Sequence, residues 1–266
     1  MKFEEVERVV EKENSTRFYR GKSVDLSLAI VISSYNRPKM LGQALTSVIG
    51  QPIKPEEVFV LDDGSDFDVH EVTGQYTYPV TVIQGPPRSP EERMTYSNYG
   101  VLINETMRRM KSRFIQLLCD DDMLAPEWIP TIRHYMQQRP SQQVWVGDLR
   151  EHHLLPPALP TADNLYPCHC EWWPRSARMT AGNFIYDRAI GVMWPTDNVL
   201  SCHDASIVSQ IVSYFGGTQA AWYVPEVALW WRYHKHNLSW YTHEDGVHLL
   251  PSILDRIKCQ RMEEDG

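Results

Sequence analysis

The chain has no apolar run long enough to cross a bilayer, no internal repeat and no low-complexity linker. A membrane-embedded enzyme, a solenoid and a beaded array of domains are therefore not expected. Cysteine is scarce and odd in number, five in 266 residues. That excludes a disulfide-built scaffold and predicts reduced thiols in a cytoplasmic setting. Positive charge is in deficit, with 26 Lys and Arg against 34 Asp and Glu for a net charge of −8. Such a molecule as a whole does not attract polyanions, which argues against non-specific nucleic-acid binding. The opening Met1-Lys2-Phe3-Glu4-Glu5 does not read as a signal peptide. What remains is an ordinary globular composition, 42% hydrophobic and 23% charged, long enough for one large domain or two small ones. Tryptophan is concentrated in the second half (Trp172, Trp173, Trp194, Trp222, Trp230, Trp231, Trp240), as core or as a surface for stacking sugars or bases.

The organising stretch runs from Phe114 to Met123. It begins as the continuous apolar run of a strand buried on both faces and ends in three carboxylates, Asp120, Asp121 and Asp122. Neighbouring carboxylates repel, and a cation is the natural way to hold them together. Asp120 and Asp122 in an Asp-x-Asp pattern offer hard oxygen ligands suited to Mg²⁺ or Mn²⁺. The competing reading is a solvated acidic turn capping a helix that starts at Pro126.

Two earlier runs end in the same way. Leu26 to Ile32 is followed by Ser33-Ser34-Tyr35-Asn36-Arg37-Pro38, and Val58 to Leu61 by Asp62-Asp63-Gly64-Ser65. Val80 to Ile83 is a third run, and helical periodicity marks Met40 to Ile49 and 91–112. Strand and helix alternating at this spacing predict right-handed βαβ units and a mostly parallel sheet, whose ligands bind beyond the carboxyl ends of the strands. Three strand ends loaded with polar residues favour a ligand site. Beyond Trp128 the pattern predicts a helix over Ile129 to Gln138, a strand over Val144 to Asp148 and a long loop over 151–180. A helix over Val199 to Phe215 and short strands at Trp222 to Pro225 and Val227 to Tyr233 complete the core. Amphipathic helices are expected over 3–13 and over Gly246 to Cys259.

In this order the motifs resemble the family 2 glycosyltransferases of GT-A fold, from about Leu26 to about Ser239. Two later segments agree: Cys202-His203-Asp204, where the family carries Glu-Asp, and Arg232-Tyr233-His234-Lys235-His236-Asn237-Leu238-Ser239, which matches Arg-x-His-x-x-Asn-x-Ser. The resemblance implies a Rossmann-like α/β fold with helices on both faces of the sheet. It implies a nucleotide-sugar-binding half at 26–128, an acceptor and catalytic-base half at 129–240, an N-terminal helix and connector at 1–25, and a helical tail at 241–266. The implied activity is metal-dependent, inverting transfer of a sugar, from UDP by preference, to an acceptor hydroxyl. Asp204 would be the catalytic base. Ser33, Tyr35, Arg37, Asp62, Asp63, Arg93, Asn98, Asp120, Asp121 and Arg232 would bind the donor. Asp122, Asp120 and His234 would hold Mn²⁺ or Mg²⁺, with Asp122 the principal ligand. The acceptor would be a carbohydrate, a metabolite or a modified nucleobase. Three departures stand out: Ser97-Asn98 for Arg-Asn, Cys119 for an Asp, and His203 for the Glu beside the base.

Structural alternatives accompany each assignment. Tyr35 can be a core aromatic, Asp62 or Asp63 can serve an Asx-type turn around Gly64, and Asp204 can cap the helix after it. Two readings of other classes also remain at this point: a non-catalytic nucleotide-sugar-binding protein, and a structural zinc module built on Cys168, His169, Cys170, Cys202 and His203.

Overall fold

A computed structural model describes residues 24–89, 92, 97–153, 180–196, 203–216 and 221–233. Strand β1 (Leu28–Ser34) is apolar over its first five residues because it lies in the sheet between two parallel neighbours. These are β2 (Glu57–Asp62) and β4 (Phe114–Cys119). Strand β3 (Thr81–Gln84) extends the parallel set beyond β2. On the other side of β4 come β7 (Phe184–Asp187), β6 (Val144–His153), β8 (Trp222–Tyr233) and the two-residue β5 (Met123–Leu124). The order is β3-β2-β1-β4-β7-β6-β8-β5; β7 is antiparallel to β4 and β6, β5 is antiparallel to β8, and β6 runs parallel to β8. The expected α/β architecture is present, with its parallel half over the first four strands.

Alternation along β1 sends residues to two separate cores, as a sheet covered on both faces requires. Ala29 and Val31 pack with Phe59, Leu61, Ile115 and Leu117 beneath helices α3 (Asn98–Arg109) and α5 (His203–Phe215). Leu28, Ile30 and Ile32 pack with Val58, Val60 and Leu118 beneath α1 (Pro38–Ile49) and α4 (Trp128–Gln138). Each helix follows from its local sequence. Helix α1 has Pro38 in its first turn and buries Leu41, Ala44, Leu45 and Val48, one stripe at helical spacing. Helix α3 is capped by Ser97, whose Oγ accepts from the Gly100 N–H, and the short α2 (Val69–Thr73) by Asp68. Gly100 is needed at its position: a Cβ there would lie 2.0 Å from the Pro195 carbonyl oxygen.

Several boundaries differ from the sequence reading. Helix α4 starts at Trp128, not Pro126, because Glu127 takes a left-handed conformation (φ 62°) that sets the entry of the helix. The two short strands expected at Trp222–Pro225 and Val227–Tyr233 form one strand, its register shifting opposite Gly147 and Asp148 where Pro225 interrupts the ladder. Strand β7 has no counterpart in the sequence reading; four residues after a non-periodic stretch carry too little pattern. Trp194 and Trp145 are core residues, and Trp222 lies under the Arg139 guanidinium, 3.3 Å from carbon to ring centre. The helices expected over 3–13 and 246–259 lie outside the described residues, as does 154–179 of the loop expected over 151–180; its first three residues instead extend β6 (Val144–His153) beyond the expected strand end at Asp148.

Gln116 is the one fully buried polar side chain of β4, and it joins the parallel half to the segments beyond that strand. Its Nε2 donates to the Gly182 carbonyl at 2.6 Å, and its Oε1 accepts from Trp128 Nε1 at 3.0 Å. Gln116→Leu keeps the volume and orphans both partners in the core. We expect it to lower unfolding free energy by about 2–5 kcal/mol, from two unsatisfied buried groups. Denaturant midpoints of the two proteins measure this, and a loss below half a kilocalorie would show that the partners re-pair.

Candidate functional site

The register of the parallel strands brings their polar ends level. Ser33 pairs with Leu61 on one side and Cys119 on the other, and Ser34 pairs with Asp62. Two backbone bonds continue the ladder past the strands: Asp63 N–H donates to the Ser34 carbonyl at 3.0 Å, and Asp120 N–H to the Ser33 carbonyl at 2.9 Å. The turns leaving β1 and β2 are tied together. Asn36, in the left-handed region at φ 51°, donates from its backbone to Ser65 Oγ; its side chain donates to Asp66 Oδ2 and accepts from the Asp66 N–H.

The two carboxylates after β2 have separate tasks. Asp62 is buried and its Oδ1 accepts from the Ser65 N–H at 2.9 Å, closing the turn around Gly64 (φ 76°). Asp63 faces the other way. Its oxygens accept from Arg88 Nη2 at 2.7 and 2.8 Å, and Oδ1 also accepts from Asn98 Nδ2 at 2.6 Å. Asn98, expected as a donor contact, is therefore at the start of α3 as the residue that holds Asp63. Arg88 escapes the sequence reading; it comes directly after Pro86-Pro87, which carry no periodic signal.

The three aspartates after β4 are all buried, at 2%, 8% and 3% exposure, which rules out the solvated acidic turn. They share two arginine partners, Arg37 and Arg232. Asp120 Oδ2 accepts from Ser34 Oγ at 2.9 Å and from the Tyr35 N–H at 3.2 Å, while Oδ1 accepts from Arg37 at 2.9 Å. The same Arg37 nitrogen lies 2.8 Å from Asp121 Oδ2. Asp122 Oδ1 accepts from the Arg232 N–H at 3.0 Å. The Arg232 side chain, itself buried, donates Nη2 to the Asp120 carbonyl at 2.8 Å, Nε to the Asp121 carbonyl and Nη1 to Gln43 Oε1. Arg232 thus wraps the backbone of the triplet, and the strand-end carbonyls occupy its donors.

Electrostatics follow from this packing. Burial, and then Asp121, pushes the Asp122 carboxyl well above the ordinary carboxylate range; the Arg232 N–H opposes the shift. Asp120 is raised as well, first by burial, with Arg37 pulling the other way. Burial works against the charge on Arg37, but Asp120 and Asp121 outweigh it and its pKa rises. The cluster is short of positive charge.

A metal would meet a donor set different from the one expected. Cys119 Sγ, one Asp121 oxygen and one Asp122 oxygen lie within 4.8 Å of one another. Asp120 is not in this group: its carboxylate is turned to β1, where Ser34, Tyr35 and Arg37 engage both oxygens. Of the expected ligands Asp120 and Asp122, only Asp122 is in this group, with Asp121 beside it. Two hard carboxylate oxygens fit the retention of Mn²⁺ or Mg²⁺ with water and phosphate completing the sphere. Arg93 and His234, expected at the phosphates and the metal, lie outside the described residues, as do Cys168, His169, Cys170 and Cys202. Asp204 stands in the first turn of α5; its side chain, and that of His203, are outside what the structure describes. Ser33 is half-buried beside Ser34, whose hydroxyl, rather than that of Ser33, reaches Asp120.

Comparison with known proteins agrees with this fold. Residues 29–150 match the model of the family described as Glycosyl transferase family 2. Protein CgeD of Bacillus subtilis (strain 168) is 27% identical over 117 residues, 44% of this chain and 28% of that protein. The chain therefore spans little more than a quarter of the length of that curated relative. Among solved structures, residues 1–349 of S. aureus TarS in complex with UDP-GlcNAc superpose with a TM-score of 0.60 at 14% identity, over 90% of this chain and 67% of that one. The same TarS portion in complex with UDP gives a TM-score of 0.56 at 15% identity, over 87% and 71% of the two chains.

The raised Asp122 carboxyl has a consequence for stability. In the folded protein it keeps its proton to a higher pH than in the unfolded chain, where the ordinary value of 3.8 applies. The stability held by the neutral form is full below that value and is lost as pH rises toward the raised folded value. Asp122→Asn keeps an acceptor for the Arg232 N–H and does not ionise. In metal-free buffer its melting temperature should fall less than that of the wild type as pH rises from about 4 to about 8. Parallel melting curves across that range would overturn the assignment.

Proposed function

We propose that this chain, whose residues 29–150 belong to glycosyl transferase family 2, moves a sugar from a nucleoside-diphosphate sugar, UDP-linked by preference, to an acceptor hydroxyl. The observation that carries the reading is the convergence of the three strand ends: Arg37 and Arg232 hold Asp120, Asp121 and Asp122 together, Arg88 holds Asp63, and Ser34 of β1 bonds to both Asp63 and Asp120. A parallel sheet presents its ligand site there. The UDP and UDP-GlcNAc complexes of TarS, which shares the fold, support the choice of donor.

In this reading residues 26–128 form the donor half. The ring of Tyr35, on the turn beyond β1, stacks on the base, and Asp63, held rigid by Arg88 and Asn98, accepts from the base or ribose. Asp62 keeps the turn in shape. Arg37, already seated between Asp120 and Asp121, faces the donor diphosphate with the exposed fifth of its side chain. Arg93 and His234 add contacts to the phosphates. Asp121 and Asp122 would hold Mn²⁺ or Mg²⁺, which supplies positive charge to the departing diphosphate. Residues 129–240 form the acceptor half. Asp204, at the start of α5, takes the proton from the acceptor hydroxyl as that oxygen attacks the anomeric carbon from the side opposite the diphosphate, and the configuration inverts. The acceptor is a carbohydrate, a metabolite or a modified nucleobase. Among the described residues no helix is long and apolar enough to cross a membrane, and the five cysteines suit a reducing, cytoplasmic compartment.

Incubating the protein with a panel of nucleoside-diphosphate sugars and Mn²⁺ or Mg²⁺ tests the reading, with release of nucleoside diphosphate as the signal. UDP-sugars should turn over and chelation should stop them. In a binding assay Tyr35→Ala should weaken UDP by about 1–3 kcal/mol, the worth of an aromatic–base stack. Wild-type affinity in a folded Tyr35→Ala protein would remove the ring from the base site, and binding without turnover of any donor would make the protein a nucleotide-sugar carrier.

Asp204→Asn separates catalysis from capping. Asparagine caps a helix about as well as aspartate, but it takes no proton. Turnover should drop by about 10²–10⁴-fold with donor affinity nearly unchanged. Retained turnover, or a product with the donor's anomeric configuration, would refute the inverting base.

A further inference from the structure

Beside Asp121 and Asp122 stands a thiol, where a third carboxylate would make an all-oxygen cluster. Cys119 is the last residue of β4, paired in register with Ser33, half-buried and in no disulfide. It therefore sits at the same strand end as the carboxylates next in the chain. Its Sγ and one oxygen from each of Asp121 and Asp122 lie within 4.8 Å of one another. A single ion with bonds of about 2.0–2.4 Å nearly closes such a span. Asp120 lies outside this group, with Ser34, the Tyr35 N–H and Arg37 on its two oxygens; Arg37 also donates to Asp121 Oδ2, and the Arg232 N–H to Asp122 Oδ1.

A set of one sulfur and two oxygens does not treat all divalent ions alike. Mg²⁺ demands near-ideal octahedral oxygen coordination and gains little from sulfur, whereas thiolate favours softer ions of the first transition row and Cd²⁺. We propose that Cys119 Sγ is a direct ligand of the divalent ion at this site and shifts its preference from Mg²⁺ toward Mn²⁺ and thiophilic metals. The proposal rests on the reading of the strand-end cluster as a metal-assisted donor site. On binding, the thiol proton leaves to solvent and the ion takes its place on sulfur, with no change of oxidation state.

The full chain with UDP, titrated with Co²⁺, Cd²⁺ or Mg²⁺, tests this without any turnover measurement. Wild-type protein with Co²⁺ should show near-ultraviolet thiolate-to-cobalt charge-transfer absorption, and the Cys119→Ser difference spectrum should contain that absorption in full. Cys119→Asp should reverse the order of metals. It should lose Cd²⁺ affinity by at least about tenfold, the lower end of what even an outer-shell partner costs, and gain on Mg²⁺. The same absorption in wild type and Cys119→Ser, or an unchanged Cd²⁺ to Mg²⁺ affinity ratio in Cys119→Asp, would overturn the proposal. If UDP binding still requires a divalent ion in that case, the donor-site reading stands and the sulfur ligation alone falls. Metal-independent UDP binding by the wild type would sink both.

Discussion

Three carboxylates buried side by side are costly to hold: each loses its hydration and repels the next. Much of the order around them answers that cost. Arg37 stands between Asp120 and Asp121, and Arg232 binds the carbonyls of Asp120 and Asp121 while its own N–H serves Asp122. Ser34 and the Tyr35 N–H complete the shell of Asp120. Two arginines do not neutralise the cluster electrostatically, since Asp120 and Asp122 remain raised by burial. A further cation would relieve this repulsion, which is what the proposed metal of the donor site would do.

These contacts cross long stretches of chain. Arg37 reaches Asp120 over 83 residues, and Arg232 reaches Asp122 over 110. They form because parallel strands bring their carboxyl ends to one edge regardless of how far apart they lie in sequence. The antiparallel strands serve the same end differently. Strand β8 pairs Trp230 with Met123 and so carries Arg232 beneath the triplet. The short β5 is thus a docking strip for the arginine rather than a minor irregularity.

The site is layered. Asp62, Asn98, Arg88, Gln43 and Ser34 touch other protein groups and fix the positions of Asp63, Arg232 and Asp120. Such positioning residues set the geometry in which a ligand is met, because a carboxylate with satisfied partners has little rotational freedom to lose. Cys119 differs, as a soft donor set among hard ones. Its position is dictated by the strand; its chemistry is the chain's own departure.

The sequence by itself determined the α/β class, the parallel first half and the three loaded strand ends, because these depend on local pattern: apolar runs of strand length, helical stripes such as Leu41, Ala44, Leu45 and Val48, and abrupt polar termini. Tertiary structure alone decided which carboxylate does what. Asp62 and Asp63 are adjacent and chemically identical, yet one closes a turn and the other meets Arg88 and Asn98. Asp120 has the spacing of a metal ligand relative to Asp122, but its direction is set by Ser34 and Arg37, which are 86 and 83 residues away. Strand β7 and the partner residue Arg88 are likewise beyond the sequence pattern, the one too short for a period and the other following Pro86-Pro87 in a segment with no regular structure. Local periodicity specifies elements, while the rotation of a side chain at a strand end is specified by whatever the fold packs beside it.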